Sequence, residues 1–231
     1  FEAIDQGPFT IADGWVKNAA EDAARIYAAT FATWYRLNPE GTPFRDDHSS
    51  LNREFHHLNE LFEANPFAAL SAILPAMRIA MERTELEKDH PKEDGIWAWR
   101  WMDRGEGPHL VEFIDIVRGG LTRLASISPE LVPGLLDILD PVRHMTALHL
   151  VLEAVSANAL LAPLLVVQID NPGLFKAGWH HAEAYSAGKA MATCWPQLTV
   201  IQRGVLEGRM MSLWPELDHA GWCIRQFKAP E

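Results

Sequence analysis

Apolar residues recur at helical spacing along most of the chain. Between Trp15 and Trp34 they return every three to five residues, which predicts a helix over 11–36. The same pattern predicts further helices over 50–64, 66–87, 109–125, 129–138, 141–157, 160–169, 172–194, 196–213 and 215–227. Alternating runs of Val, Ile and Thr, which are typical of strands, are almost absent. The pattern therefore predicts an all-α fold with about nine to ten helices.

Proline marks the positions where several of these helices are expected to begin. A side chain that can cap a helix directly precedes proline at four places: Asn65-Pro66, Ser128-Pro129, Asp140-Pro141 and Asn171-Pro172. This is the arrangement expected at the N-cap and the first residue of a helix. Trp195-Pro196 places proline in the same relation to the following run, without the cap. Pro75 falls inside a predicted helix and can kink it, because it removes one backbone hydrogen bond.

A tryptophan-rich segment interrupts the helical pattern. Connections after residue 125 are short, so consecutive helices there are expected to be antiparallel neighbours. The segment 88–108 is longer, and within it Trp97, Trp99 and Trp101 alternate with smaller or charged residues. In an extended conformation all three indoles fall on one side. We interpret the segment as a loop that folds back over the core; the alternative is an aromatic patch that binds a partner, because Trp is enriched at interfaces.

One helix carries a family resemblance. The stretch "LDPVRHMTALHL" at 139–150 resembles the HEAT repeat, in which an aspartate opens the second helix of a pair and Val-Arg follows it. The matching residues are Asp140, Val142, Arg143, Ala147 and Leu150. The resemblance implies an irregular helical repeat, α-solenoid-like, built from HEAT-like antiparallel helix pairs. It also implies a helical scaffold within a larger multidomain protein.

Length and composition set the domain organisation. The 231 residues, 48% of them hydrophobic, can bury a sizeable core. We expect a single all-α domain over 1–231, or a segment of a larger protein, since the chain begins on Phe and both ends resemble ordinary connecting sequence. A subdivision separates N-terminal helices at 1–87, the Trp-rich loop at 88–108 and HEAT-like helix pairs at 109–231.

Charge and cysteine content restrict the partners. The formal net charge of −11 opposes binding to a phosphate backbone, so nucleic acid is not expected as a partner. No apolar run reaches the roughly 18 to 20 residues of a membrane span, and the first residues lack the pattern of a signal peptide. Two cysteines, Cys194 and Cys223, cannot build a disulfide framework or a thiolate zinc site, although they could pair once. A reducing compartment is therefore favoured. We therefore expect a cytoplasmic protein that binds neither nucleic acid nor membrane.

Ten histidines raise the question of a metal site. Adjacent residues on a helix point about 100° apart, so His180 and His181 cannot easily bind one ion together. Glu-x-x-His pairs have the spacing found in carboxylate-bridged di-iron bundles, but that motif needs two such helices and two further glutamates. The best metal cluster the sequence offers is Glu54, His57, His149, Glu153 and His181. The competing interpretation of Thr146, His149 and Glu153 is a polar edge that is hydrogen-bonded to a neighbouring helix or to water.

Other catalytic patterns are missing or weak. The sequence has neither of the common glycine-rich phosphate loops and no Gly-x-Ser-x-Gly elbow, and Cys194 carries no signature of a nucleophile. Gly119-Gly120 is interpreted as a point of close helix packing. The stretch "GWHHAEAYSAGKAM" at 178–191 is interpreted as a packing helix, in which His181 and Tyr185 lie at the edge of the contact.

The sequence favours a function without catalysis. Serial proline-started helices and the tryptophan loop favour a helical scaffold that binds another protein or another domain of the same polypeptide, with no cofactor. One alternative is a helical-bundle enzyme or metal-binding protein that uses the His/Glu cluster. Another is a small-molecule sensor with an apolar pocket between helices.

Overall fold

The computed structural model describes Asp22, Arg25 and residues 59–83, 110–174 and 182–213. This part of the chain is helical and contains no strand, which confirms the all-α prediction for it. Residues 59–64 are helical, and seven α-helices follow in the described ranges. They are α1 (Pro66–Arg83), α2 (Leu110–Ile127), α3 (Val132–Leu136), α4 (Met145–Ala157), α5 (Ala162–Gln168), α6 (Ala182–Cys194) and α7 (Val200–Leu213).

Short 3₁₀ turns separate several of these helices. They span Pro129–Leu131, Asp137–Leu139, Ala159–Leu161 and Trp195–Gln197. The predicted helices at 160–169 and 196–213 are therefore each divided into a 3₁₀ part and an α part, and the one at 129–138 has a 3₁₀ turn on each side of its α part. Two of these turns, Pro129–Leu131 and Trp195–Gln197, contain proline among their first two residues. Short 3₁₀ turns are frequent at helix ends and in connections between helices.

The capped starts of α1 and α7 show how side chains set helix boundaries. Asn65 Oδ1 accepts a hydrogen bond from the Ala68 amide at 3.1 Å, as the Asn65-Pro66 pattern predicts. The helix α1 then continues through the exposed Pro75. At α7, Thr199 Oγ1 accepts a hydrogen bond from the Gln202 amide at 3.3 Å, and Gln202 Oε1 accepts one from the Thr199 amide at 2.9 Å. This reciprocal capping fixes the start of α7 at Val200, four residues after the predicted start.

The predicted helix start at Asp140-Pro141 is wrong by four residues. Asp140 adopts a left-handed conformation with φ 53°, and its carbonyl accepts hydrogen bonds from the Arg143 and His144 amides. Residues 141–143 form this turn, and α4 begins at Met145. A left-handed residue cannot act as an N-cap, whose backbone is extended. Asp140 therefore ends one helical segment instead of opening the next.

Three long helices lie side by side in the same direction. Asn158 Nδ2 donates to the Ala125 carbonyl at 2.8 Å, which joins the carboxyl ends of α4 and α2. Thr193 Oγ1 donates to the Ser156 carbonyl at 3.1 Å, which joins the carboxyl ends of α6 and α4. The short helices α3 and α5 return the chain between them. The central helix α4 packs against both long neighbours and is buried on nearly all sides.

The loops that follow α3 and α5 are also joined. Asn171 is buried, and its Nδ2 donates to the Pro141 carbonyl at 3.0 Å and to Gln168 Oε1 at 2.9 Å. Its Oδ1 accepts from the Gly173 amide at 2.9 Å. The predicted cap at Asn171-Pro172 therefore stabilises a turn and links two loops.

One hydrophobic core connects α1 to α7. Phe62 packs closely against α2, where a Cβ built on Gly120 would lie 2.0 Å from Phe62 Cδ1. The interpretation of Gly120 as a point of close packing agrees with this contact. The neighbouring Gly119 is exposed and has no atom within 4 Å of such a Cβ. None of the helices in the described ranges is long and apolar enough to cross a membrane.

Candidate functional site

A small polar cluster lies at the packed contact between α4 and α6. His149 and Glu153 are one helical turn apart on α4, so their side chains share a face. Ser186 of α6 lies opposite, with its Oγ 2.5 Å from Glu153 Oε1 and 3.4 Å from His149 Nδ1. Ser186 and His149 are both buried, while Glu153 is partly exposed. The polar edge predicted on α4 is thus hydrogen-bonded to the neighbouring helix.

The order of the three groups decides what this cluster can do. A serine hydroxyl has one proton, and Ser186 donates it to the Glu153 carboxylate. The hydroxyl oxygen can then only accept from His149 Nδ1, at 3.4 Å, and this requires the histidine tautomer with its proton on Nδ1. In nucleophilic catalysis the histidine lies between serine and acid and takes the serine proton. Here the serine lies between histidine and acid and is buried, so the cluster joins two helices and does not activate a nucleophile.

Two of the five predicted metal ligands meet in this cluster. His149 and Glu153 share the α6-facing side of α4, while Glu54, His57 and His181 lie outside the described residues. Within the described part of the chain, no group of three or more His, Cys, Asp or Glu side chains is placed to hold a metal ion. The five-residue metal cluster stays a prediction. Trp97, Trp99 and Trp101 of the predicted partner-binding patch also lie outside the described residues.

Cys194 is buried at the end of α6 and is a poor nucleophile. Burial raises the pKa of its thiol from 9.0 to about 11, because the thiolate would lose its hydration. The reactive thiolate is therefore rare at neutral pH.

Two of the residues that carry the HEAT resemblance take part in an ion cluster. Arg78 of α1 bonds Glu82 at 3.0 Å and the Ile138 carbonyl at 3.2 Å, and lies 3.9 Å from Asp140 Oδ2. Arg143 lies 3.8 Å from Glu82 Oε1. All four charged side chains are about one-third exposed and the cluster is balanced in charge. It joins α1 to the turn before α4 and offers no excess charge to a ligand.

The helix α7 is held to the rest of the fold along one side. Leu206 is buried in the core. Arg209 donates to the Ile169 carbonyl and lies 3.4 Å from Asp170 Oδ1. Arg203 donates to the Trp195 carbonyl at 3.0 Å and places its guanidinium 5.6 Å from the centre of the Trp195 ring. These contacts fix which face of α7 points outward.

The outward face of α7 is apolar, and none of the described residues covers it. It consists of Val200, Ile201, Gly204, Val205, Gly208 and Met211, and we call it the α7 face. Val200 and Ile201 are 82% and 80% exposed, and Cβ atoms built on either glycine would meet no atom within 4 Å. At about 100° per residue, these positions form one continuous strip that contains no charged side chain.

Sequence reasoning did not identify Ser186 or the α7 face. A single serine in a small-residue helix has no pattern of its own, and its partners are more than thirty positions away. The α7 face carries a weak signal, since apolar residues occur on more than one side of this helix. Only the fold shows which of these apolar residues are buried in the core.

No protein-family model matches the chain, and no curated protein or solved structure matches it significantly.

Proposed function

We propose that the chain is a non-catalytic helical scaffold that binds an apolar helix of another protein, or of another domain of its own polypeptide, on the α7 face. The observation that carries the proposal is the exposure of a continuous, uncharged strip on a helix whose other side is anchored by Leu206, Arg203 and Arg209. Single exposed apolar residues are normal, but a contiguous strip is typical of an interaction site.

The glycines determine the kind of partner that fits. Gly204 and Gly208 are one turn apart and have no side chain, so a neighbouring backbone can approach closely between Ile201, Val205 and Met211. A helix laid along this strip would bury its own apolar positions in the space above the glycines. An extended peptide would gain less, because α7 offers no free strand edge.

The side-by-side arrangement of α2, α4 and α6 supports the proposal of an irregular, HEAT-like helical repeat. Long helices α2, α4 and α6 alternate with the short returns α3 and α5, and the loops after the two returns are bonded through Asn171 and Pro141. In helical repeats each unit contacts mainly its neighbours, and the outer faces bind partners. We therefore assign the α7 face to an outer side of such a row.

Site-specific crosslinking tests this function. A photo-crosslinking amino acid replaces Ile201 in the full chain, in cells that make the protein, and a second chain carries it at the exposed Ala192 of α6 as control. We expect discrete crosslinked proteins at Ile201 that are absent at Ala192. Their binding to the purified chain, measured by calorimetry, should weaken about tenfold or more with Ile201→Asp and stay unchanged with Ala192→Asp. Identical crosslinks at both positions, or equal affinities of the two variants, would contradict the scaffold function.

A further inference from the structure

Two segments of the chain share one local structure. In 128–140 and again in 158–170, a 3₁₀ turn is followed by a short α-helix, which is α3 in the first unit and α5 in the second. Asn171 bonds the carbonyl of Pro141, 30 residues earlier, just after the two units end. Equivalent positions are buried in both units: Val132 and Ala162, Leu135 and Leu165, and Leu139 and Ile169.

The outward side chains of the two units differ in character. In the first unit they include Glu130 and Asp137, which are both exposed. In the second unit the same positions hold Leu160 and Val167, which are 69% and 66% exposed. The first unit accepts a carboxylate at each position, so the fold does not require an apolar side chain there. Exposed apolar side chains in such places are typical of an interaction surface.

The outward side of α5 borders the α7 face. Arg209 of α7 donates to the Ile169 carbonyl and lies 3.4 Å from Asp170 Oδ1, directly after α5. Val205 is one turn before Arg209, so this exposed residue lies on the edge of α7 that is next to α5. Val167 stands two residues before Ile169 and faces outward, and it therefore continues the apolar strip onto α5.

The exposed charges around this strip are acidic. We call the α7 face together with Leu160 and Val167 the two-helix surface. Within the described segments 129–142, 159–174 and 195–213, which contain α3, α5 and α7, both arginines are half-buried and bonded to main-chain carbonyls. The exposed charged side chains of these segments all carry a carboxylate: Glu130, Asp137, Asp170 and Glu207.

We propose that the two-helix surface binds a basic amphipathic helix, which packs its apolar side chains on both α5 and α7 and places Lys or Arg side chains against the acidic rim. This inference rests on the proposed function, because it takes the α7 face to be a helix-docking surface. A second copy of the chain would bring like charges together at the rim, and so would an acidic helix. The net charge of −11 attracts the same class of partner at longer range.

Two model peptides test the charge of the partner. Each has about 18 residues, long enough to form a helix, with Leu at helical spacing; the remaining positions are Lys in one peptide and Glu in the other. Calorimetry with the full chain measures both affinities. We expect the Lys peptide to bind about tenfold or more tightly than the Glu peptide, and added salt to reduce the difference. Equal affinities, or no measurable binding of the Lys peptide, would overturn the inference.

Substitutions on α5 test the location of the surface. Val167→Asp copies Asp137 of the first unit, and Ala192→Asp adds the same charge at an exposed position of α6. We expect Val167→Asp to weaken binding of the Lys peptide about fivefold or more, and Ala192→Asp to change it by less than about twofold. A purely electrostatic association would be strengthened by the added carboxylate, so unchanged or tighter binding by Val167→Asp would overturn the inference. Leu160→Glu, which copies Glu130, is the second variant, and it decides the outcome if circular dichroism shows that Val167→Asp does not fold.

Charge reversal separates the rim from the net charge. Glu207→Lys is expected to weaken binding of the Lys peptide about threefold or more, because it places a like charge beside the strip. Glu63→Lys makes the same change in net charge at an exposed position of the 59–64 helix, and its effect should stay below about twofold. Equal effects of the two variants would overturn the role of the acidic rim.

The two proposals can fail separately. Crosslinks from Ile201 to another protein, together with equal affinities for the two peptides, overturn the basic partner and leave the scaffold function standing. Binding of the Lys peptide that depends on Val167, with no protein crosslinked at Ile201 in cells, supports the surface chemistry and contradicts the scaffold function. A dimer of the chain that Val167→Asp dissociates would assign the surface to a second copy and overturn the inference.

Discussion

The ring of Phe62 lies directly against Gly120 of α2. A Cβ atom at position 120 would fall 2.0 Å from Phe62 Cδ1 and 2.6 Å from Cε1. Phe62 is 2% exposed, so the surrounding core limits how far its ring can move. The contact exists because residue 120 has no side chain, and it sets the distance between the 59–64 helix and α2.

Gly120→Ala is expected to lower the free energy of unfolding by about 1–3 kcal/mol, because the added methyl group overpacks a filled site. Alanine's better helix propensity, about 1 kcal/mol, offsets only part of this cost. Gly119→Ala is the matched control: it makes the same change where the space is open, and we expect it to raise stability by up to about 1 kcal/mol. Urea unfolding followed by circular dichroism measures both, and equal effects of the two variants would contradict the role of Phe62.

The helices follow from local sequence, but their contacts do not. Asn65 could be identified as a cap because a cap bonds an amide three residues away. Asp140-Pro141 has the same local pattern, yet the backbone of Asp140 is left-handed. The Asp140 side chain lies near Arg78, which is sixty-two positions earlier in the chain. The partners of Ser186 and the exposure of Ile201 depend in the same way on which helices become neighbours. A sequence pattern carries no information on such long-range pairs, and therefore the candidate surface could not be predicted.

The Ser186 hydroxyl is predicted to stabilise the α4–α6 contact. Ser186→Ala removes the group that donates to Glu153 and accepts from His149, and it leaves both side chains to find other partners. We expect a loss of about 1–3 kcal/mol in unfolding free energy.

Ser156→Ala is the matched control on α4, since Ser156 Oγ donates only to the Leu152 carbonyl of its own helix, at 2.7 Å. Ser156→Ala should lower the free energy of unfolding by no more than about 0.5 kcal/mol, because such hydrogen bonds to the preceding turn contribute little. Thermal unfolding of the two variants compares them, and a Ser186→Ala protein as stable as Ser156→Ala would show that the cluster does not join the helices.

Substitution by aspartate distinguishes the roles of Asn65 and Asn171. The Asn65 side chain acts as an acceptor, whereas the Asn171 side chain also acts as a donor. Asn65→Asp keeps the oxygen that caps α1 and adds a charge favoured at a helix amino end, so stability should change by less than about 1 kcal/mol. Asn171→Asp loses the donor to the Pro141 carbonyl and Gln168 Oε1 and places a carboxylate against both oxygens. We expect it to cost about 2–4 kcal/mol. Urea unfolding at neutral pH measures both variants, and a tolerated Asn171→Asp would show that the loops are joined by other contacts.

We expect the stability of the chain to depend on pH in the alkaline range because the Cys194 thiol is buried. Burial raises the pKa of its thiol from 9.0 to about 11 in the folded chain, while the unfolded chain keeps the lower value. Below the unfolded pKa both states hold the proton and the contribution of the thiol is constant. As pH rises from 9.0 towards about 11, the unfolded chain releases the proton and the folded chain retains it, so the unfolded state gains relative stability.

Comparison with Cys194→Ala isolates this effect from the other groups that titrate at high pH. The variant lacks the thiol, so the stability difference between wild type and variant should shrink by about 1–2 kcal/mol between pH values of about 8 and about 10.5. Urea unfolding at the two pH values measures that difference. If it stays constant, the thiol titrates alike in both states, which would contradict the raised pKa. A slow reaction of Cys194 with iodoacetamide in the folded chain, and a fast one in urea, is the independent outcome expected from its burial.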